Sequence, residues 1–255
     1  NATQNDGRPV KSVGREGVDY YNTLGYVPYD VKINENVART LEYAYADYCI
    51  ARMAEKMGKA DIAKQYYEQS KRYKNVFDPE TKWMRGKNKD GKFQSPFNPL
   101  KWGDAFTEGN SLHYTWSVFQ DIEGLIQLMG GKEAFEQKLD SMFTFASTPD
   151  ERLPIFSTGM IGQYVHGNEP SHHVAYLYNF TAHPEKASER VGEVLRTQYH
   201  NTPDGHCGNE DCGQMSSWYV LSALGFYPIN PADSRYYIGQ PLFSQATLHL
   251  DNGKT

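Results

Sequence analysis

Between Gly208 and Gly213 the chain carries Asn209, Glu210 and Asp211, then runs into the apolar helix pattern GQMSSWYVLSALG. Carboxylates at the mouth of a buried helix lose hydration and need a cation, a proton or a donor in exchange. Two other loops repeat the arrangement. TEGNSLHYTW sets Glu108 ahead of an aromatic-rich stretch, and HGNEPSHHVAYLYN does the same with Asn168 and Glu169. Three acidic loops, each opening an aromatic helix pattern, suggest one shared site. A carboxyl walled by aromatic rings is driven toward its protonated form, as a general acid requires. Glu108 has that setting, with Leu112, His113, Tyr114 and Trp116 behind it. Asp211, between glycines that permit turns other residues resist, has the setting of a general base or a metal ligand. Such an acid and base together have the two-carboxylate form of glycoside hydrolysis. Each also has a plainer reading as a helix cap, since acidic residues are common at helix starts.

Asn168, Glu169 and Asp211 offer hard oxygen ligands, which favour calcium over transition metals, although no EF-hand loop is present. His166, His172 and His173 flank the second loop. They read either as hydrogen-bonded structural or sugar-binding groups or as zinc ligands. The three cysteines, Cys49, Cys207 and Cys212, are odd in number, which argues against a disulfide framework. Their spacing fits no standard zinc pattern, so they read as small core-facing residues. Trp83, Trp102, Phe106 and Tyr164 lie in loops, where they either stack on sugar rings or pack between loop and helix.

The elements that must position these groups are mostly helical. The pattern is helical from Asn36, a candidate N-cap, to a stop at Gly58. Asp61 caps a second, more charged helix. DPETKWMRGKNKDGKFQ is a turn-rich excursion with a hairpin signal at Asp90-Gly91. A third helix is expected over about 110–129, ended by Gly130-Gly131, and KEAFEQKLDSMFTFA forms a fourth. A fifth is expected over about 171–181, a sixth opens at Pro184 and a seventh follows the acidic loop at Gly213. Residues 1–34 read as irregular. After Pro231 the pattern turns to strand, in RYYIG and then ATLHLD. The odd-numbered helices are aromatic and poor in charge, while the even-numbered ones carry Glu and Lys at solvent-face spacing. That alternation gives helix hairpins with inner and outer members around a centre. The inner helices then start on one side, and the acidic loops converge there.

The 255 residues suffice for one large domain or two ordinary ones, and no boundary is evident before about Pro231. Aromatic residues make up 14% of the chain, with 19 Tyr, a composition suited to polar ligands with apolar faces. A net charge of −5 with no basic run excludes electrostatic capture of nucleic acid. No stretch approaches the ~18 consecutive apolar residues of a membrane span, and no signal peptide is visible. The chain opens at Asn1 without Met and closes on HLDNGKT, so it reads as a piece of a longer protein.

TLEYAYADYCIA, TEGNSLHYTW, HGNEPSHHVAYLYN and GNEDCGQMSSWYVLSALGFYPINPADSRYYIGQPLF resemble glycoside hydrolase family 92, the calcium-dependent exo-acting α-mannosidases. The likeness runs from about Asp19 to the end, in order and at family-like spacing. It implies a mainly α chain forming part of an (α/α)6 toroid, with β-strands at its C-terminal end. Residues 1–231 would belong to the catalytic domain and 232–255 would begin the closing β elements. The N-terminal β-sandwich domain of such an enzyme would lie outside this chain. The resemblance makes Glu108 the general acid and Asp211 the general base, with Asn209 where many relatives carry Asp. It implies Ca2+ on the mannose 2- and 3-hydroxyls, with Asn168, Glu169 and Asp211 as ligands. His166, His172, Trp102 and Tyr164 would bind substrate, and loop residues near Gln163, Tyr164 and His166 would bear on linkage preference. The expected reaction is inverting release of mannose from a glycan, with α-1,2 linkages as the first expectation. The two carboxyls would then stand about 6.5–9.5 Å apart in the intact enzyme. A periplasmic or cell-surface location is expected by the same resemblance. Two other readings stay open: a catalytically incomplete carbohydrate-binding or structural portion, and another (α/α)6 carbohydrate enzyme. A lyase would want Arg, Lys or Tyr at the acid position, against Glu108.

Overall fold

A computed structural model describes residues 14–146, 153–154 and 157–254. Contacts divide the described residues into two compact units, the first of 14–135 with 153–154 and the second of 136–146 with 157–254.

In the first unit a short helix α1 (Val18–Leu24) replaces part of the irregular start expected from the sequence. The long helix α2 (Asn36–Lys56) and its partner α3 (Ala60–Gln69) follow. Asn36 is the first residue of α2 rather than its cap, and Asp61 lies in the first turn of α3 after Lys59 at the cap position. The start of α2 is closed from a distance instead. Ala105 O accepts from Val37 N and Ala38 N at 3.0 and 3.1 Å, and Asp104 O accepts from Glu35 N at 2.7 Å. This loop therefore supplies the acceptors that initial helix amides lack. A 3₁₀ stretch (Ser70–Val76) leads from α3 into the hairpin of β1 (Phe77–Asp78) and β2 (Trp83–Met84). Asp90-Gly91 turns the neighbouring Lys87–Phe93 bridge as expected, with Gly91 at φ 86.

The third helix expected over about 110–129 is two helices, α4 (Ser111–Tyr114) and α5 (Ile122–Met129). Long-range bonds break it. Thr115 Oγ1 accepts from Met84 N at 2.9 Å, and Ser111 Oγ donates to Met84 O, so α4 is tied to β2. Asp121 then caps α5 by accepting from Gly124 N at 3.0 Å, while also accepting from Tyr73 Oη at 2.8 Å. Helix α6 (Lys132–Thr144) follows Gly130-Gly131 as expected.

In the second unit β3 (Met160–Ile161) pairs with β4 (Tyr164–Val165), and Phe143 stacks on Tyr164 with ring centroids 5.0 Å apart. The fifth helix is 3₁₀ rather than α, over Glu169–Ser171 and Val174–Phe180. His172 O accepts from Trp218 Nε1 at 2.8 Å, so it is taken from the α-helical ladder. Helix α7 (Glu185–Thr197) begins after Pro184, and Lys186 Nζ donates to Glu136 at 2.7 Å and Asp140 at 2.8 Å. Helix α8 (Gln214–Leu224) ends on Gly225, in the left-handed region. Strands β5 (Phe226–Tyr227) and β6 (Tyr237–Ile238) form a hairpin, so strand structure begins before Pro231. No strand is formed over 246–250, where Leu248 and Leu250 are exposed; a strand there would need a neighbour to complete its ladder.

Candidate active site

Glu108 belongs to the first unit and Asp211 to the second, and each is held by its own surroundings.

Glu108 is exposed and adopts φ 47, a left-handed conformation that costs an L-residue roughly 1–2 kcal/mol. It does not cap α4. That task falls to Asn110, whose Oδ1 accepts from Leu112 N and His113 N at 2.9 and 3.2 Å while His113 Nδ1 accepts from Asn110 N. The residues on either side of Glu108 are fixed. Tyr114 Oη donates to Thr107 O at 2.6 Å, and Gly109 O accepts from Gly103 N at 2.9 Å. The plainer capping reading is thereby removed, and a non-glycine residue remains in a strained conformation of the kind that clusters at functional sites. Trp102 packs edge-on against His113, with ring centroids 4.8 Å apart. Burial raises the Tyr114 hydroxyl above its ordinary range, and the negative charges of Glu42, Glu35 and Glu108 add to that rise. Loss of hydration also lifts the carboxyl of Glu42, on α2, above the usual carboxylate range. Sequence reasoning missed Glu42 beside this loop; its only signal was a lone acid in the apolar run TLEYAYA.

The loop before α8 is more strained. Asp211, Cys212 and Gly213 have φ 48, 57 and 96 in succession. Gly213, at the N-cap, has no side chain to close the helix, so the loop closes it. Asp211 O accepts from Gln214 N at 3.2 Å, Glu210 O from Met215 N at 3.3 Å and Glu210 Oε1 from Ser216 N at 3.1 Å. Glu210 Oε2 accepts from Ser216 Oγ at 3.0 Å and meets His206 Nε2 at 3.0 Å. The Ser216 amide, then its hydroxyl and His206, hold the Glu210 carboxyl below its usual range. Glu210 is thus fully engaged. Asp211 and Asn209 are exposed, and neither side chain makes a hydrogen bond among the described residues. A cavity of about 580 Å³ flanks the loop on the His206 side, lined in part by Tyr199, His206, Ser216 and Tyr219.

The loop with Asn168 and Glu169 meets the Asp211 loop at two glycines. A β-carbon on Gly208 would stand 2.5 Å from Gly167 O and 2.7 Å from Gly167 Cα. Asn168 is buried and Glu169 exposed. Their side-chain oxygens, like those of Asp211, are of the kind a hard cation takes. Among the described residues no group of three His, Cys, Asp or Glu could hold a metal ion. The three cysteines are free.

Tyr164, His166 and His172 are buried beneath these loops, at 0%, 0% and 2% exposure. Tyr199 Oη donates to Met215 O at 3.2 Å and lies 2.7 Å from His166 Nε2, while Tyr164 Oη lies 2.8 Å from His166 Nδ1. The directions follow: Tyr164 donates to His166 Nδ1, and His166 Nε2–H donates to Tyr199. His172 Nε2 donates to His166 O at 2.9 Å, which leaves His172 Nδ1 to accept from Gln214 Nε2 at 2.9 Å. Burial pushes His172 down to about 4 and His166 well below its ordinary value, so both rings are neutral. The polar atoms that the sequence placed on a sugar are turned to the protein, where they support the start of α8. Gln214, which joins that support to the acidic loop, was not singled out from the sequence.

A profile of the glycosyl hydrolase family 92 catalytic domain matches residues 1–255. A solved family GH92 α-mannosidase from Bacteroides thetaiotaomicron is 44% identical with a TM-score of 0.87, covering 93% of this chain and 31% of its own. The same enzyme has been solved with mannoimidazole, matching at a TM-score of 0.88 and 43% identity over 93% of this chain and 32% of its own. A family GH92 inverting mannosidase from Bacteroides thetaiotaomicron VPI-5482 is 46% identical with a TM-score of 0.86, covering 99% and 35%. An uncharacterized secreted glycosidase of Arthroderma benhamiae is 27% identical over 273 residues, 95% of this chain and 33% of the relative. The chain belongs to glycosyl hydrolase family 92. It is mainly helical and forms part of the (α/α)6 domain, and it spans about a third of the length of these relatives.

Proposed function

We propose that the protein containing this chain is an exo-acting α-mannosidase that cleaves α-1,2-mannosides in a single displacement with inversion. The observation that carries this reading is the contrast within one loop: the Glu210 carboxylate is bound up in closing α8, while its neighbour Asp211 is exposed, strained and without a side-chain hydrogen bond among the described residues. Asp211 then takes a proton from the attacking water. Glu108 gives a proton to the departing glycosidic oxygen, so that oxygen leaves neutral as water adds to the anomeric carbon. Asn209 stands beside the base as a hydrogen-bonding partner for water. Trp102 offers a ring to the sugar, and Tyr164, His166 and His172 act from beneath, by holding the loops.

Asn168, Glu169 and Asp211 would hold the calcium ion, which when bound supplies positive charge to sugar hydroxyls. The substrate is a mannose-containing glycan. Residues 1–231 form part of the catalytic domain and 232–255 begin its closing β elements, behind a β-sandwich domain elsewhere in the parent. Among the described residues no helix is long and apolar enough to cross a membrane. We place the parent in the periplasm or at the cell surface, a reading supported by the relative named as secreted.

The test is mannose release from α-1,2-mannobiose by the full-length protein, with and without EDTA. Release that EDTA abolishes and calcium restores is expected. No release from a folded parent on this or other α-mannobioses would overturn the reading. The alternative, a carbohydrate-binding or structural portion, draws on the chain's coverage of only 33% of its curated relative; binding of mannobiose without turnover by the full-length protein would favour it.

A further inference from the structure

We infer that Glu210 is the positioning residue of the Asp211 loop, acting through Ser216 and His206 and taking no part in the chemistry itself. The inference rests on Asp211 being the base. Its grounds are geometric. Residues 211–213 all have positive φ, and two of them are not glycine; such a segment persists only where its surroundings over-determine it. The helix it precedes has no side-chain cap at Gly213. The Glu210 carboxylate takes that place from three residues upstream, accepting from both the amide and the hydroxyl of Ser216 at 3.1 and 3.0 Å. It is braced from the other side by His206. Nδ1 of that ring lies 3.1 Å from Cys207 O and Nε2 lies 3.0 Å from Glu210 Oε2. Both nitrogens thus lie within hydrogen-bond distance of an oxygen, one in the backbone and one on Glu210. Glu210 is thereby pinned at two points, one in the first turn of α8 and one in the strand-like segment before the loop. Asp211 follows it in the chain, so its carboxylate direction is set by the Glu210 anchor. Gly208 and Gly213, at the ends of the loop, offer no side chain that would hold it otherwise.

The variants Glu210→Ala, Glu210→Gln, Ser216→Ala and Asp211→Asn, made in the full-length enzyme, test this. Glu210→Ala should lower kcat about 100-fold with KM little changed, since a displacement near 1 Å costs about that much. Glu210→Gln keeps an oxygen for the Ser216 amide and should recover most of the loss, which a catalytic carboxylate would not allow. Ser216→Ala keeps the amide bond and should fall between wild type and Glu210→Ala; it serves where Glu210→Ala does not fold. Amide exchange over 208–216 should quicken in Glu210→Ala even with substrate absent. Three results would overturn the assignment: kcat within about twofold of wild type in Glu210→Ala, equal losses in Glu210→Gln and Glu210→Ala, or unchanged exchange over the loop. Full activity in Asp211→Asn would instead strike at the base reading itself, and the exchange result tells that failure apart from failure of the anchor.

Discussion

Gly208 approaches Gly167 so closely that a β-carbon on it would lie 2.5 Å from the Gly167 carbonyl oxygen. The contact is backbone against backbone, so no side chain can rotate away to relieve it. Gly208 also has φ 71, which a side chain resists. Gly208→Ala should cost about 1–3 kcal/mol and lower kcat, because the loops carrying Asn168, Glu169 and Asp211 are forced apart. Urea unfolding and steady-state kinetics on the full-length protein check this. A variant with wild-type stability would refute the close approach.

The acid and base assignments separate by leaving group. Glu108→Gln should lose about 10²–10⁴-fold in kcat/KM on a mannobiose but much less on an aryl mannoside whose phenolate leaves without a proton. Asp211→Asn should lose activity on both, since water must be deprotonated in either case. An equal loss on both substrates in Glu108→Gln would remove it from the acid role.

Stability should fall in acid because of the buried histidines. Burial pushes His172 down to about 4, against an ordinary histidine near 6.5. Between those values the unfolded chain binds a proton that the folded chain refuses, so stability rises with pH across that window. The contribution is complete above about pH 6.5 and is lost as pH falls toward 4, by ~3 kcal/mol for a shift of this size. His166, depressed for the same reason, acts in the same direction. His172→Gln should therefore flatten the dependence of unfolding free energy on pH between about 7 and 4.5. Parallel curves for variant and wild type would contradict the neutral, buried ring.

Calcium dependence should be tunable at Glu169. Removing one ligand charge in Glu169→Gln should raise the calcium concentration for half-maximal mannose release by about tenfold or more. Activity at saturating calcium should largely return. An unchanged calcium requirement would take Glu169 out of the ligand set.

Helices with strong local signals were legible in the sequence. Gly58, Gly130-Gly131, Pro184 and Gly225 mark ends or starts of α2, α5, α6, α7 and α8, and the Asp90-Gly91 turn is where its dipeptide puts it. What escaped was decided at long range. Nothing local to Thr115 says that its hydroxyl will take the amide of Met84 and end α4. Nor does anything local to His172 say that its carbonyl will bond Trp218 and leave a 3₁₀ segment. The same holds at the site. Glu108 and Asp211 stood out by residue type and position. The division of labour between adjacent Glu210 and Asp211 depends on Ser216 and His206, and the turning of His166 toward Tyr164 and Tyr199 depends on a packed interior.

The carbonyl of Ala105 accepts from two amides at the start of α2 while belonging to the loop that carries Glu108. Those amides, Val37 and Ala38, are consequently built-in reporters. Whatever loosens 103–110 frees their protons to solvent, and whatever clamps that loop slows their exchange. Deuterium uptake at two backbone positions outside the proposed chemistry would register each occupation of the acid loop without any label on the sugar.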